Sequence, residues 1–150
     1  MLRINLQFIG VLLFLIGSAG VSLACTCMHL RGDPDKAFTS ASAVFSGKVL
    51  EITEGEPSPV LAELKTLTVK FRVMKSWKLV RTDEVMVLTG SINNLCGFPF
   101  EVGKSYLVYG KGGGNKFVTD ICTRTVQLPG TKEDLAYLKR KRLLKIKSSR

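Results

Sequence analysis

The sequence has little of what metal or hydrolytic chemistry needs. Histidine occurs once, as His29, and the spacings G-x-S-x-G of a serine nucleophile and H-E-x-x-H of a zinc protease are absent. Only 12 acidic residues stand against 22 lysines and arginines. The pairs Asp33/Asp35 and Glu133/Asp134 are typical of helix starts rather than of paired acid/base carboxylates. These absences predict that the protein is not an enzyme.

The sequence also lacks the residue spacing of two kinds of ligand site, a four-cysteine zinc site and a phosphate-binding loop. A four-cysteine zinc site needs C-x₂₋₄-C pairs, whereas Cys25 and Cys27 are spaced C-x-C and the other two cysteines are isolated. The glycine run at 112–114 has neither the spacing nor the following helix of a phosphate-binding loop. We therefore expect no cofactor and no metal of the protein's own.

The first 24 residues have the pattern of a secretory leader. Arg3 supplies a basic start, Phe8 to Ile16 an apolar core, and Ser22-x-Ala24 a small-residue cleavage site. The apolar run is shorter than the roughly 20 residues of a membrane span, and an uncleaved anchor is the alternative. A lipoprotein signal is a second alternative, but Ser22 stands where such signals usually carry Leu. We predict secretion, to the extracellular space or the periplasm.

What the sequence does have in excess is positive charge. The net charge is +10, and cleavage of residues 1–24 would remove only Arg3, leaving +9. A basic surface favours acidic partners, although nucleic acid is not expected for an exported protein. The basic end of the last predicted helix has the pattern of a segment that binds an anionic membrane or envelope surface, and a fraying, solvated helix end is the alternative. The basic residues at its start are Lys139, Arg140, Lys141 and Arg142.

All four cysteines follow the predicted cut, and an even count in an exported domain predicts disulfides. A bond between Cys25 and Cys27 would close a strained ring, so two of the three pairings stay open. Either would tie the start of the mature chain to its second half, closing loops worth about 4 kcal/mol each in the chain-entropy model. The cut would also leave a free α-amine beside the carbonyl of Cys25, two groups that can close a five-membered chelate ring on a metal.

Between two helices the pattern predicts five strands. Asp33 as N-cap and Pro34 at the first turn start a short helix ending near Ser42, with Ala37 and Phe38 facing the core. Strands are expected over residues 43–52, 66–73, 84–88, 104–109 and 116–121, the first with a bulge or bend at its glycine and the second with strict alternation. A last helix is expected over 132–146, capped by Thr131.

This order predicts a mainly β fold, a five-stranded OB-type barrel with a short N-terminal helix and a C-terminal helix. The predicted units are a leader at 1–24, the barrel domain at 25–130, and a basic helix and tail at 131–150.

Several stretches carry a resemblance to a known family. They are Cys25-Thr26-Cys27, Ala37-Phe38, Ala43 to Val49, Val73 to Lys78, Leu95 to Phe98 and Cys122-Thr123-Arg124. Over roughly residues 25–125 the chain resembles the N-terminal inhibitory domain of the tissue inhibitors of metalloproteinases, a netrin-like (NTR) domain, in a bacterial-type, single-domain form. It lacks the family's cysteine in the first helix, where Thr39 stands, and the family's cysteine-rich C-terminal subdomain.

The resemblance implies disulfides Cys25–Cys96 and Cys27–Cys122. It also implies a monomeric inhibitor whose Cys25 amine and carbonyl chelate the catalytic zinc of a target metalloproteinase. The implied inhibitory ridge comprises Thr26, Cys27, Met28, Asn94 and Leu95. The alternative interpretation is a non-inhibitory NTR-like binding module of the cell envelope or extracellular space, either free or lipid-anchored through an acylated Cys25.

Overall fold

The computed structural model describes Cys25, Cys27 and residues 32–55, 65–91, 96–114, 116–130 and 132–148, with side chains to residue 142 in the last helix. Its elements are α1 (Pro34–Ser40), β1 (Ala43–Glu54), β2 (Thr66–Lys78), β3 (Glu84–Gly90), β4 (Ser105–Gly113), β5 (Lys116–Val118), β6 (Val126–Gln127) and α2 (Lys132–Ser148). The predicted cap Thr131 lies outside the described residues. Within them, no helix combines the length and apolar character needed to cross a membrane.

Five strands close into a barrel. The order is β1-β2-β3-β5-β4, and β4 pairs back with β1 to complete the ring. All neighbours are antiparallel except β3 and β5, which are parallel. The predicted fold class, a mainly β, five-stranded OB-type barrel with one short helix before it and one helix after it, is confirmed. The two-residue strand β6 pairs with β4 along the edge of β4 that faces away from β1.

The barrel interior is filled by inward-facing side chains of all five strands. Phe45, Val69, Phe71 and Val87 are fully buried there. The strict alternation in β2 therefore reports its buried face, as predicted. The predicted bulge in β1 is confirmed by a register shift at Gly47, where an added Cβ would lie 2.8 Å from the carbonyl oxygen of the facing strand.

A second apolar layer lies outside the barrel, where the two helices cover β1 and β4. It joins Val44 and Leu107 of the strands to Ala37 of α1 and to Tyr137 and Leu138 of α2. The backbone N–H of Asp35 donates to the Asp33 carboxylate at 2.8 Å, so the predicted N-cap holds. Ala37 is buried and Phe38 packs against this layer, which agrees with their predicted orientation.

Element ends differ from the prediction for local reasons. Helix α1 stops at Ser40 because Ala41 is already extended, and the Lys78 ammonium donates to the carbonyl oxygens left free at the helix end. Strand β5 ends at Val118 rather than at residue 121: the Thr119 N–H still donates to the carbonyl oxygen of Leu88 in β3, but at Asp120 the chain turns, and the Asp120 carboxylate accepts from N–H groups of the following loop. Strands β1, β2, β3 and β4 and helix α2 run a few residues beyond their predicted ends.

Candidate functional site

Two disulfides meet at one end of the barrel. Because β3 and β5 are parallel neighbours, the loops that follow them emerge at the same end, and these loops carry Cys96 and Cys122. Cys25 is bonded to Cys96 with a Cα–Cα distance of 5.9 Å, and Cys27 to Cys122 at 4.9 Å. This is the pairing that the resemblance implies. Cys25 and Cys27 are exposed, so the start of the domain lies on the surface, attached at two closely spaced points.

The first attachment point rests directly on the end of β3. Gly97 packs so closely on the carbonyl of Gly90 that no Cβ could be accommodated. The next residue, Phe98, donates its N–H to the Thr89 hydroxyl at 2.8 Å inside the protein. Cys96 itself has a positive φ of 54°. The two residues that follow Cys96 are therefore held firmly against the end of β3.

The second attachment point is a tight loop over residues 119–125, which we call the cystine loop. The Asp120 carboxylate accepts hydrogen bonds from the N–H groups of Cys122 at 2.8 Å and Thr123 at 2.9 Å. The N–H of Ile121 donates to the carbonyl oxygen of Cys96 at 3.0 Å. The cystine loop therefore contacts both disulfides, one covalently and one through a backbone hydrogen bond.

Three buried hydroxyls anchor the cystine loop to β4. Those of Thr119, Thr123 and Thr125 lie 2.8 to 2.9 Å apart. Thr119 donates to the carbonyl oxygen of Tyr109 at 3.2 Å, and Thr125 accepts from the Tyr109 N–H at 3.1 Å. These bonds satisfy buried groups that would otherwise be costly to remove from water.

The other side of the cystine loop is bound to α2 by an ion pair. Arg124 is 9% exposed and donates from Nε to the fully buried Asp134 and from Nη2 to Glu133 at 2.8 Å. Burial alone would lower the pKa of Arg124, but the bonds to the two carboxylates outweigh it and raise the pKa. The Tyr109 hydroxyl also donates to Asp134 at 3.0 Å, and burial together with this carboxylate raises the pKa of Tyr109.

This ion pair is the part of the site that sequence reasoning missed. The sequence assigned Glu133 and Asp134 to the first turn of a helix, which is where they lie, but not to a buried contact. One signal was available: Asp134, Tyr137 and Leu138 are spaced i, i+3 and i+4, so they share one helix face. A carboxylate on the packing face needs a partner.

The other predicted site residues are placed as follows. Thr26, Met28, Asn94, Leu95 and His29 lie outside the described residues. Lys139, Arg140 and Arg142 are exposed, whereas Lys141 pairs with Asp35 at 3.2 Å. A membrane or envelope partner for these residues stays a prediction. In the described part of the chain no three metal-ligating side chains come together.

The fold and this end define a small barrel domain, braced by two disulfides, that presents its first cysteines on the surface. The chain belongs to the tissue inhibitor of metalloproteinase family, whose model matches residues 23–143. No curated protein matches the chain. Family membership supports a metalloproteinase inhibitor-like role rather than an enzymatic one. The two disulfides fit folding in an oxidising compartment outside the cytoplasm.

Proposed function

We propose that this protein is a secreted inhibitor of a zinc metalloendopeptidase and that it acts through Cys25. Cleavage after Ala24 would give Cys25 a free α-amine. The observation that carries the proposal is that Cys25 and Cys27 are both exposed and both bonded to one barrel end. The first groups of the mature chain would then sit on a rigid support and face another molecule.

The chemistry follows from how protease zinc is bound. Such a zinc keeps an open coordination position occupied by water. The neutral amine and the carbonyl oxygen of Cys25 can replace that water and close a chelate ring. Since two disulfides already order this segment, little conformational entropy is lost on binding. The proposed ridge that fills the cleft beside the zinc comprises Thr26, Cys27, Met28, Asn94 and Leu95.

A lipid anchor on Cys25 is the competing proposal, and one observation weighs against it. The sulfur of Cys25 is in a disulfide with Cys96, whereas a lipoprotein carries its lipid on that same sulfur. The intact mass of the native mature protein separates the two forms. The inhibitor proposal requires a chain that starts at Cys25 with an unmodified amine and two disulfides.

The decisive test compares two forms of the mature protein. One starts at Cys25, and the other keeps Ala24 in front of it, so that an amide replaces the amine. We expect the first to inhibit at least one of a panel of zinc endopeptidases, and the second to inhibit at least about 100-fold less, since a metal ligand is lost. A form with one extra residue at the C-terminus is the control and should inhibit normally.

Two results would contradict the proposal. Absence of inhibition across the panel at high micromolar concentration of the correctly processed form would remove the inhibitor function. Equal inhibition by the extended form would retain an inhibitor but remove the chelation mechanism.

A further inference from the structure

We propose that Arg124 and Asp134 are positioning residues for the inhibitory end, through which helix α2 fixes the cystine loop and with it both disulfides. The inference rests on the proposed function for the meaning of that end. Its geometry rests on the described contacts alone.

The cystine loop controls the position of both attachment points. It contains Cys122, the disulfide partner of Cys27. Its Ile121 N–H donates at 3.0 Å to the carbonyl oxygen of Cys96, the partner of Cys25. A displacement of this loop would therefore move Cys27 directly and would disturb Cys25 through the hydrogen bond to Cys96, and with them the groups proposed to meet the zinc.

The cystine loop is held on two sides, on one by the barrel and on the other by helix α2. The threonine hydroxyls attach it to β4, which belongs to the barrel. Arg124 attaches it to α2, which lies outside the barrel. A planar guanidinium that binds separate carboxylates through Nε and Nη2 has a fixed direction. The contact between Arg124 and α2 therefore sets the orientation of the cystine loop as well as its distance from the helix.

Helix α2 is also held by contacts other than this ion pair. Leu138 is fully buried in the outer apolar layer, and the Tyr137 hydroxyl donates to Asp35 at 2.6 Å. Lys141 pairs with the same carboxylate. Burying the charges of Arg124 and Asp134 costs desolvation energy that further apolar packing would not cost. The contact that this pair makes, and these others do not, is with the cystine loop.

The experiment compares two isosteric changes on the full mature chain. Asp134→Asn removes the buried charge that binds Arg124. Asp35→Asn is the matched control, because it removes a carboxylate that also binds α2 but does not contact the cystine loop. Amide hydrogen exchange of Cys122 and Thr123, measured by NMR, reports the Asp120 bonds that shape the loop. The inhibition constant reports the proposed function.

We expect Asp134→Asn to speed exchange at Cys122 and Thr123 at least about tenfold, with barrel amides such as that of Val87 unchanged, and to weaken inhibition by a similar factor. Asp35→Asn should leave both readouts as in the unmodified protein. Equal exchange at these amides in the two variants would overturn the proposal, as would a change in Asp134→Asn that is no larger at the loop than at Val87.

A milder variant covers the case in which Asp134→Asn fails to fold. Glu133 is 63% exposed in its side chain and supplies the outer half of the contact with Arg124. Glu133→Gln should therefore fold and give a smaller increase in exchange at the same two amides, and no increase would overturn the proposal. If the unmodified protein inhibits no protease, the inhibitor proposal fails, while the exchange comparison still decides whether α2 fixes the loop.

Discussion

The barrel interior and the helix-covered outer layer are built in different ways. The interior cluster is almost wholly apolar, and most of its aromatic ring pairs meet edge to face, as in Phe71 with Phe45 and Phe100. The outer layer is also apolar at its centre, but polar contacts surround it: Tyr109 with Asp134, and Tyr137 with Asp35.

This difference suggests separate roles: the interior stabilises the barrel, and the outer layer sets the positions of the helices and the cystine loop. Apolar burial is non-directional and roughly proportional to area, so the interior stabilises the barrel without specifying exact positions of surface groups. Hydrogen bonds and ion pairs require particular distances and angles. The outer layer, which adjoins the cystine loop, therefore determines where the helices and that loop sit. Interior changes should cost mainly stability, and outer-layer polar changes should cost mainly position.

The largest expected effect is in the interior, for Phe71→Ala. Phe71 is fully buried and contacts three aromatic rings, those of Phe45, Phe100 and Tyr106. Its removal leaves a large cavity and should lower the free energy of unfolding by about 3–5 kcal/mol. Urea unfolding measures this. Val118→Ala, at a half-exposed position of the same barrel, is the control and should change little. A loss below about 1 kcal/mol for Phe71→Ala would contradict the packed interior.

Much of the fold could be predicted from the sequence because its signals are local. Alternation in residues 66–73 gave β2 its buried face, and Asp33-Pro34 gave the start of α1. The short β6 was missed, since two residues carry no periodicity. The end of β5 was misplaced because the Asp120 turn depends on which backbone N–H groups its carboxylate meets, and residue type alone does not fix that choice.

The candidate site could be predicted only in part. Counting cysteines left two pairings open, and only the family resemblance chose between them. The loop from Thr119 to Thr125 shows no sequence signal for its hydroxyl cluster, since the partner groups come from β4, ten or more residues away. The Arg124–Asp134 pair was hidden in part: helical spacing places Asp134 on the packing face of the helix, but nothing in the sequence identifies Arg124 as its partner.

An intermediate loss of stability is expected for Lys78→Met, a change that removes a polar contact beside the outer layer. The ammonium of Lys78 donates to the carbonyl oxygens of Phe38 at 2.9 Å, Thr39 at 3.1 Å and Ala41. It thus satisfies acceptors that the end of α1 leaves without helical partners. Methionine keeps the stem but not the donors, so stability should fall by about 1–2 kcal/mol in urea unfolding.

The matched control for that change is Lys75→Met. Lys75 lies on the same strand, is exposed, and contacts only the face of Trp77 at 5.0 Å among its described partners. Its loss should cost less than about 0.5 kcal/mol. Equal losses for the two lysines would mean that charge, rather than the carbonyl contacts of Lys78, stabilises this side of the molecule.

The smallest effect on stability is expected on the solvent-exposed face of the barrel, which belongs neither to the apolar interior nor to the helix-covered outer layer. Lys70 donates to Glu84 at 2.8 Å, and this bond holds the pKa of Glu84 below its ordinary value of 4.5. A lowered folded-state pKa means that the stabilisation is present above pH 4.5 and is lost as the pH falls through the folded-state pKa. Glu84→Gln should therefore lower the melting temperature slightly at pH 7, less in 1 M salt, and by a shrinking amount as the pH falls below 4.5 and the carboxyl of the unmodified protein takes up its proton. A difference in melting temperature that survived both acid and salt would mean that the charge of Glu84 is not its source, and that this face contributes to stability by packing after all.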